Sequence, residues 1–341
     1  MTPEEIEKIK IKHSKIFSEY KRTGRISECF YHDKSKCNEN IKQSHSIQRN
    51  GRLSIIEGIV NSNKVIYTFT EIEPGINPTI KSLKPIGKSA ASTFFGFCDF
   101  HDTTLFSSIE NHPFDNSDKH CFLHSYRAFA HSYHRKKEEL KSYNSDSNFT
   151  NKIDPEWLKY MILGAEISVN EGEEEKKKLD ILIENELYDH LEYFTYIIPK
   201  KYPIACSSII NPYFSFKGTA MDNHINPTVK FSHIMLTVLP DHNQTIIIFA
   251  CFHDDEKAIL FFDELNDLKD YHLEKAISSI IISCSENTFF APALWDKLGE
   301  EGQRQLCYEL EEDFISIPKS FKHSKINFFE PKFSAEKLGI I

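Results

Sequence analysis

No stretch of this chain approaches the roughly 18 consecutive apolar residues of a membrane-spanning helix. The longest apolar runs, such as Ile246 to Phe252, have the length of strands, so no membrane partner is expected. The glycine patterns of a Walker loop, a dinucleotide-binding turn or a kinase phosphate loop are also missing, and no internal repeat is found. Cysteine is sparse: eight residues in 341 cannot build a dense disulfide framework. Four of the eight (Cys206, Cys251, Cys284 and Cys307) lie in apolar surroundings and read as buried free thiols. The acidic start Met1-Thr2-Pro3-Glu4-Glu5 has a helical pattern, unlike a secretory leader. Together these absences predict a cytoplasmic protein.

What is present is ample material for a core, with 40% apolar residues, 27 Phe and 14 Tyr. The length predicts two domains, and a Ser-, Asn- and Asp-rich stretch at 143–153 places their boundary, giving units 1–150 and 151–341. Charge divides unevenly between them. The first unit holds 22 basic and 18 acidic residues, a net of +4, while the second holds the remaining 19 and 32, a net of −13. A polyanion such as DNA or RNA is therefore expected to meet the first half, and the acidic half suits a protein partner.

Pattern reading predicts an α+β chain. An N-terminal helix runs to about residue 22, Ile41 to Gln48 is extended, and Arg49-Asn50-Gly51-Arg52 turns. Lys64 to Ile72 alternates as a strand, and Pro74 to Ser89 reads as a long loop. A helix capped by Asp115 or Ser117 extends to about 142. Asp154-Pro155 starts the next, and the charge run Glu171 to Lys178 reads as a break or an exposed face. Strands are then expected at 194–199, 204–210, 213–217, 231–239, 244–252 and 257–262, with Pro240-Asp241-His242-Asn243 as a hairpin turn. Helices follow at 273–282, 291–298 and 302–314.

The chemistry concentrates between Glu28 and Glu110. Cys29 and Cys37 bracket a polar loop, His45 follows in Ser44-His45-Ser46-Ile47, and Cys98-Asp99-Phe100-His101-Asp102 closes the segment. Thiolate and imidazole are the donors a tetrahedral zinc ion selects. Cys29, Cys37, Cys98 and His101 are the preferred ligand set, with His32 as an alternative through Cys29-x2-His32. Two knuckles bracketing a His-bearing hairpin and leading into a helix resemble the HNH (ββα-metal, treble-clef) endonucleases. The resemblance covers about a quarter of the chain. It implies that His45, ending the first strand, activates water. It implies also that Cys98 and His101 form the closing knuckle, with His101 where a second cysteine is usual. Asp102 stands where that family has a metal-binding histidine, and a carboxylate suits Mg²⁺ or Mn²⁺. Asn50 is the one candidate for the middle asparagine. The segment between the knuckles, about 50 residues, is longer than that motif carries.

The residues themselves leave alternatives open. His45 is a general base, a zinc ligand, or a brace on a backbone carbonyl. His120, His124, Arg127, His131 and His134 fall at spacings of 4, 3, 4 and 3 on one helix. That stripe reads as a shared metal or phosphate site, or as a solvent-facing polar face; the polar face is favoured over metal binding because no zinc-protease glutamate accompanies it, and Arg127 is open to a phosphate or a domain-interface carboxylate. Asp254 and Asp263 follow apolar runs and define a competing active site in the second half. The lead expectation is thus a bacterial-type, metal-dependent nucleic-acid-cleaving protein whose acidic half recognises a partner or regulates it. The competing expectations are a non-enzymatic zinc-stabilised binding or sensor protein, and an enzyme acting through its second half.

Overall fold

The computed structural model describes residues 3–38, 40–69, 83–221, 230–315 and 319–330. In chain order α1 (Pro3–Gly24) precedes the Cys29–Cys37 loop, and β1 (Ile41–His45) leads into a π-helical turn at Arg49–Leu53. β2 (Gly58–Val60), β3 (Asn63–Phe69), β4 (Leu83–Ile86) and β5 (Thr93–Cys98) follow, then α2 (Asp99–Asn111), α3 (Asp118–Tyr143) and α4 (Pro155–Glu184). The rest comprises β6 (Leu191–Ile198), β7 (Ile204–Ile210), β8 (Ile234–Pro240), β9 (Thr245–Phe252), α5 (Glu256–Asp267), α6 (Asp270–Cys284), β10 (Thr288–Phe290) and α7 (Pro292–Ile315). The chain is α+β, with every strand pair antiparallel.

β1 and β5 form a ribbon of their own. The other eight strands make one sheet in the order β2-β3-β10-β7-β8-β9-β6, with β4 on β3. The boundary expected near residue 150 does not separate these strands, because β10 joins β3 on one side to β7 on the other. Arg52 adds a tie across the same line: its guanidinium donates to the Pro240 carbonyl at 3.2 Å and pairs with Asp241 at 2.9 Å in the β8–β9 turn. The expected linker is itself ordered, with Phe149 and Thr150 buried and Asp154 capping α4 through the Glu156 and Trp157 amides.

The sheet centre is covered on both faces, which explains why β8 and β9 read as unbroken apolar runs. Leu236, Val238, Ile247, Phe249 and Cys251 face α5, α6 and α7 in one core. The alternate residues Met235, Ala250 and Phe252 face α3 and the β1–β5 module in another. That second core holds Phe122, Tyr126, Phe129 and Tyr133 of α3, packed on Phe30, Phe97 and Phe106. Position 96 in β5 is glycine because this packing leaves no room for a side chain: a Cβ there would lie 2.2 Å from the Phe94 ring.

Several elements differ from the sequence pattern for identifiable reasons. Residues 257–262 are helical: Asp255 caps the Ala258 amide, and Ala258, Phe261, Phe262 and Leu265 share a buried face at helical spacing. Residues 213–217 make only a single bridge, Phe214 to Ala220. They are anchored instead by buried Glu264, which accepts from the Ser215 hydroxyl at 3.0 Å and the Lys217 amide at 2.9 Å. The charge run 171–178 does not break α4, because Gly172 packs against the Tyr133 ring and Glu175 pairs with His233 at 2.8 Å. Three strands escape the pattern: β4, which contains Pro85, inside the expected loop, β5, and three-residue β10. The portions of the expected 64–72 strand and 74–89 loop at 70–82 lie outside the described residues. α7 changes direction at Gly299 (φ 65°), matching two expected helices. Among the described residues no helix is long and apolar enough to cross a membrane.

Candidate metal centre and the histidine beside it

The β1–β5 ribbon and α2 bring the four expected ligands together. The chain at 28–30 runs along β5, with the Glu28 amide donating to the Phe95 carbonyl at 3.2 Å and Phe30 to Gly96 at 2.6 Å. This lays Cys29 beside Cys98. Asp33 caps a short 3-10 turn at Lys34–Lys36, which brings Cys37 back to the same point. Cys98 ends β5 and is also the N-cap of α2, its thiol accepting the His101 amide at 3.5 Å. His101 then sits in the first turn of α2 and faces the sulfurs.

His101 Nδ1 lies 3.2 Å from Cys98 Sγ, 3.4 Å from Cys29 Sγ and 3.5 Å from Cys37 Sγ. A tetrahedral zinc ion with its usual bond lengths sets an S···N edge of roughly 3.6 Å. The four donors lie within 4.8 Å of one another and can hold a metal such as zinc. Electrostatics agree with the donor chemistry. Burial and the neighbouring Cys29 and Cys98 sulfurs push the Cys37 thiol up to about 12, as crowding of sulfurs does. Burial opposes ionisation of Cys98 too, but the His101 and Asn38 amides prevail and lower its pKa. Burial, helped by Lys34 and Lys36, lowers His101 and keeps its ring neutral, the form that donates a lone pair. The Tyr31 ring packs on it at 4.5 Å. The alternative ligand His32 turns away, 3.9 Å from Asp180 and 3.7 Å from Glu184 on α4. Among the described residues this is the one group of three or more metal-type donors.

His45 ends β1 opposite Thr93, beyond an irregularity in the β1–β5 register between Lys42 and Ser44. It is not part of the ligand group. Its Nδ1 lies 3.0 Å from the Ala91 carbonyl, which fixes a proton on Nδ1 and leaves the Nε2 lone pair available. Among the described residues Nε2 carries no hydrogen bond, and it is not sealed in the interior. Burial lowers the His45 pKa below the ordinary 6.5 against the Ala91 hydrogen bond, which raises it; Arg49 and Arg127 push the same way as burial, and Asp102 opposes them. The Ala91 site is held in place by Ser92 (φ 59°), whose hydroxyl bonds the Ser46 hydroxyl at 2.5 Å and the Ile47 amide at 2.8 Å.

Asp102 lies one residue past the knuckle, buried at 9% exposure. Its Oδ2 is 3.5 Å from Lys42 Nζ and its Oδ1 is 3.5 Å from the Arg127 guanidinium, with no hydrogen bond to Oδ1. Arg127 also pairs with Glu110 at 2.7 Å and lies over the Phe106 ring. Lys42 and Glu110 were not legible as site residues, because nothing local links them to Asp102. A small cavity of about 10 Å³, the size of one water, lies between Ser46, Gln48, Arg52, Glu110, His124 and Arg127. Asn50 is exposed on the turn.

The histidine stripe of α3 does not face solvent as expected. His120, His124, Arg127, His131 and His134 are all buried, between α3 and its neighbours. His131 and His134 pack edge-on against Phe94 at 5.2 and 5.5 Å. Burial drives His124 well below the ordinary value and His131 to about 3, so both are neutral packing groups. In the second half, Asp254 pairs with Lys178 at 2.5 Å, Asp263 lies exposed on α5, and buried Cys206 bonds the Thr288 and Ser285 side chains. None of the eight cysteines is in a disulfide. No family model, curated protein or solved structure matches this chain.

Proposed function

We propose that the chain is an HNH-like, metal-dependent nuclease in which Cys29, Cys37, Cys98 and His101 hold a structural zinc ion and His45 is the general base. The observation that carries this reading is the single hydrogen bond from His45 Nδ1 to the Ala91 carbonyl at 3.0 Å. It selects the tautomer whose Nε2 accepts a proton, on a strand fixed to the knuckle through the β1–β5 pairing. The lowered pKa keeps that nitrogen unprotonated near neutral pH. Phosphodiester hydrolysis also needs positive charge at the leaving oxygen, which Mg²⁺ or Mn²⁺ supplies when bound. Asp102 Oδ1, buried and without a hydrogen bond, is the carboxylate offered to that cation, and Lys42 and Arg127 balance its charge meanwhile. Exposed Arg49, electrostatically coupled to His45, suits a phosphate of DNA or RNA. The acidic second half then serves partner recognition or regulation.

Incubation of the protein and His45→Ala with DNA and RNA in Mg²⁺ or Mn²⁺ tests the reading. Cleavage by the parent and its loss in the variant are expected; equal activity, or none in either, rejects it. The acid limb of the rate should have its midpoint below pH 6.5, because activity persists until His45 protonates and its pKa is lowered. The competing reading, a non-enzymatic zinc-stabilised binding protein, is favoured by the ion pairs that occupy Asp102, and predicts binding without turnover.

A further inference from the structure

Val169 is the one residue in the N-terminal half of α4 that packs against a hydrophobic core of the described residues. Between Trp157 and Val169 its charged and hydroxyl-bearing side chains are only Lys159, Tyr160, Glu166 and Ser168, so the helix is apolar nearly all round. One side is accounted for: Ala165 is buried and Val169 packs against the aromatic core of α3. The other side is not. Trp157 is 63% exposed, Tyr160 67% and Leu163 50%. A helix without a polar face is normally enclosed by protein on every side.

Three exposed residues and the partly buried Ile167 form a pattern. Trp157, Tyr160, Gly164 and Ile167 follow one another at spacings of three, four and three, the repeat of a helix-pairing seam. Gly164 leaves a notch in it, since a Cβ built there would meet nothing within 4 Å. We propose that this seam is a homodimer interface, in which α4 pairs antiparallel with α4 of a second copy and Tyr160 of each copy fills the Gly164 notch of the other. A two-fold axis at residue 162 produces this register. It sets Tyr160 against Gly164 and Trp157 against Ile167, so each layer pairs a large side chain with a smaller one.

The area is consistent with a weak dimer. Trp157 and Tyr160, each about two-thirds exposed, offer roughly 100–170 Å² apiece. With Leu163 and partly buried Ile167 on both copies the total is on the order of 600–1,000 Å², below the roughly 1,200 Å² of stable specific interfaces and in the range of weak ones. A lipid surface fits less well, because the charged residues here are Glu156, Lys159 and Glu166, with Glu156 and Lys159 paired at 2.6 Å. Membrane-surface helices instead carry a basic polar face. The inference does not depend on the nuclease reading.

Sedimentation of the full chain from about 1 to about 100 µM tests it, with a micromolar monomer–dimer midpoint expected. Tyr160→Glu and Gly164→Leu should each weaken association tenfold or more, the first by burying charge and the second by filling the notch. Both sites are exposed, so far-ultraviolet circular dichroism should stay unchanged. In a Trp295→Phe background the Trp157 emission should shift to the blue as concentration rises. A chain that is monomeric throughout, a dimer indifferent to both substitutions, or binding to anionic lipid vesicles without self-association overturns the proposal.

Discussion

His131 should make folding stability fall on acidification, by an amount the structure sets. The ring is buried in α3 against Phe94, its Nδ1 has no hydrogen bond, and Arg135 and His134 repel a charge that Glu138 only partly offsets. Its folded-state pKa is about 3, against 6.5 in an exposed chain. Above pH 6.5 both states are neutral and the group contributes no pH dependence. Below it the unfolded chain takes up a proton that the folded chain refuses, so stability drops until the pH approaches 3. Between pH 7.5 and pH 5 the drop from this residue is about 2 kcal/mol, near the scale of a whole core substitution. Urea unfolding of the parent and of His131→Gln at both pH values isolates the contribution, because the other buried histidines remain in each protein. The variant should lose less stability on acidification, by about 2 kcal/mol, even if it is less stable at pH 7.5. An identical pH response in the two proteins refutes the argument that burial keeps this ring neutral.

Two further outcomes follow from the β1–β5 module. Cys98→Ser should abolish bound zinc, measured as metal per chain, while cooperative unfolding of the eight-stranded sheet survives, because the core between that sheet and α5, α6 and α7 uses no knuckle residue. Gly96→Ala should destabilise the protein by about 1–3 kcal/mol in chemical unfolding, since the new methyl group meets the Phe94 ring and β5 cannot retreat from α3.

The ligand group was legible because sulfur and imidazole donors are few and their chemistry is specific, so Cys29, Cys37, Cys98 and His101 stand out even at irregular spacing. The strands 204–210 and 244–252 were legible for a related reason: β-branched and aromatic runs bounded by turn residues have few other outcomes. The run at 257–262 misled because a short apolar stretch fits helix and strand alike until its cap is seen. The α3 histidines misled for a different reason. Spacing reveals a shared face, but polarity alone does not reveal whether that face meets water or protein.

By itself the chain determined its donors, its caps, its hairpin turn and the period of each apolar run, all properties of neighbouring residues. Tertiary structure decided which distant segments meet: β10 beside β3 across the expected boundary, Arg127 between Asp102 and Glu110, and the imidazoles of α3 inside the core. The physical reason is that burial, charge compensation and pKa belong to contacts made across long sequence separations, and no local pattern encodes them.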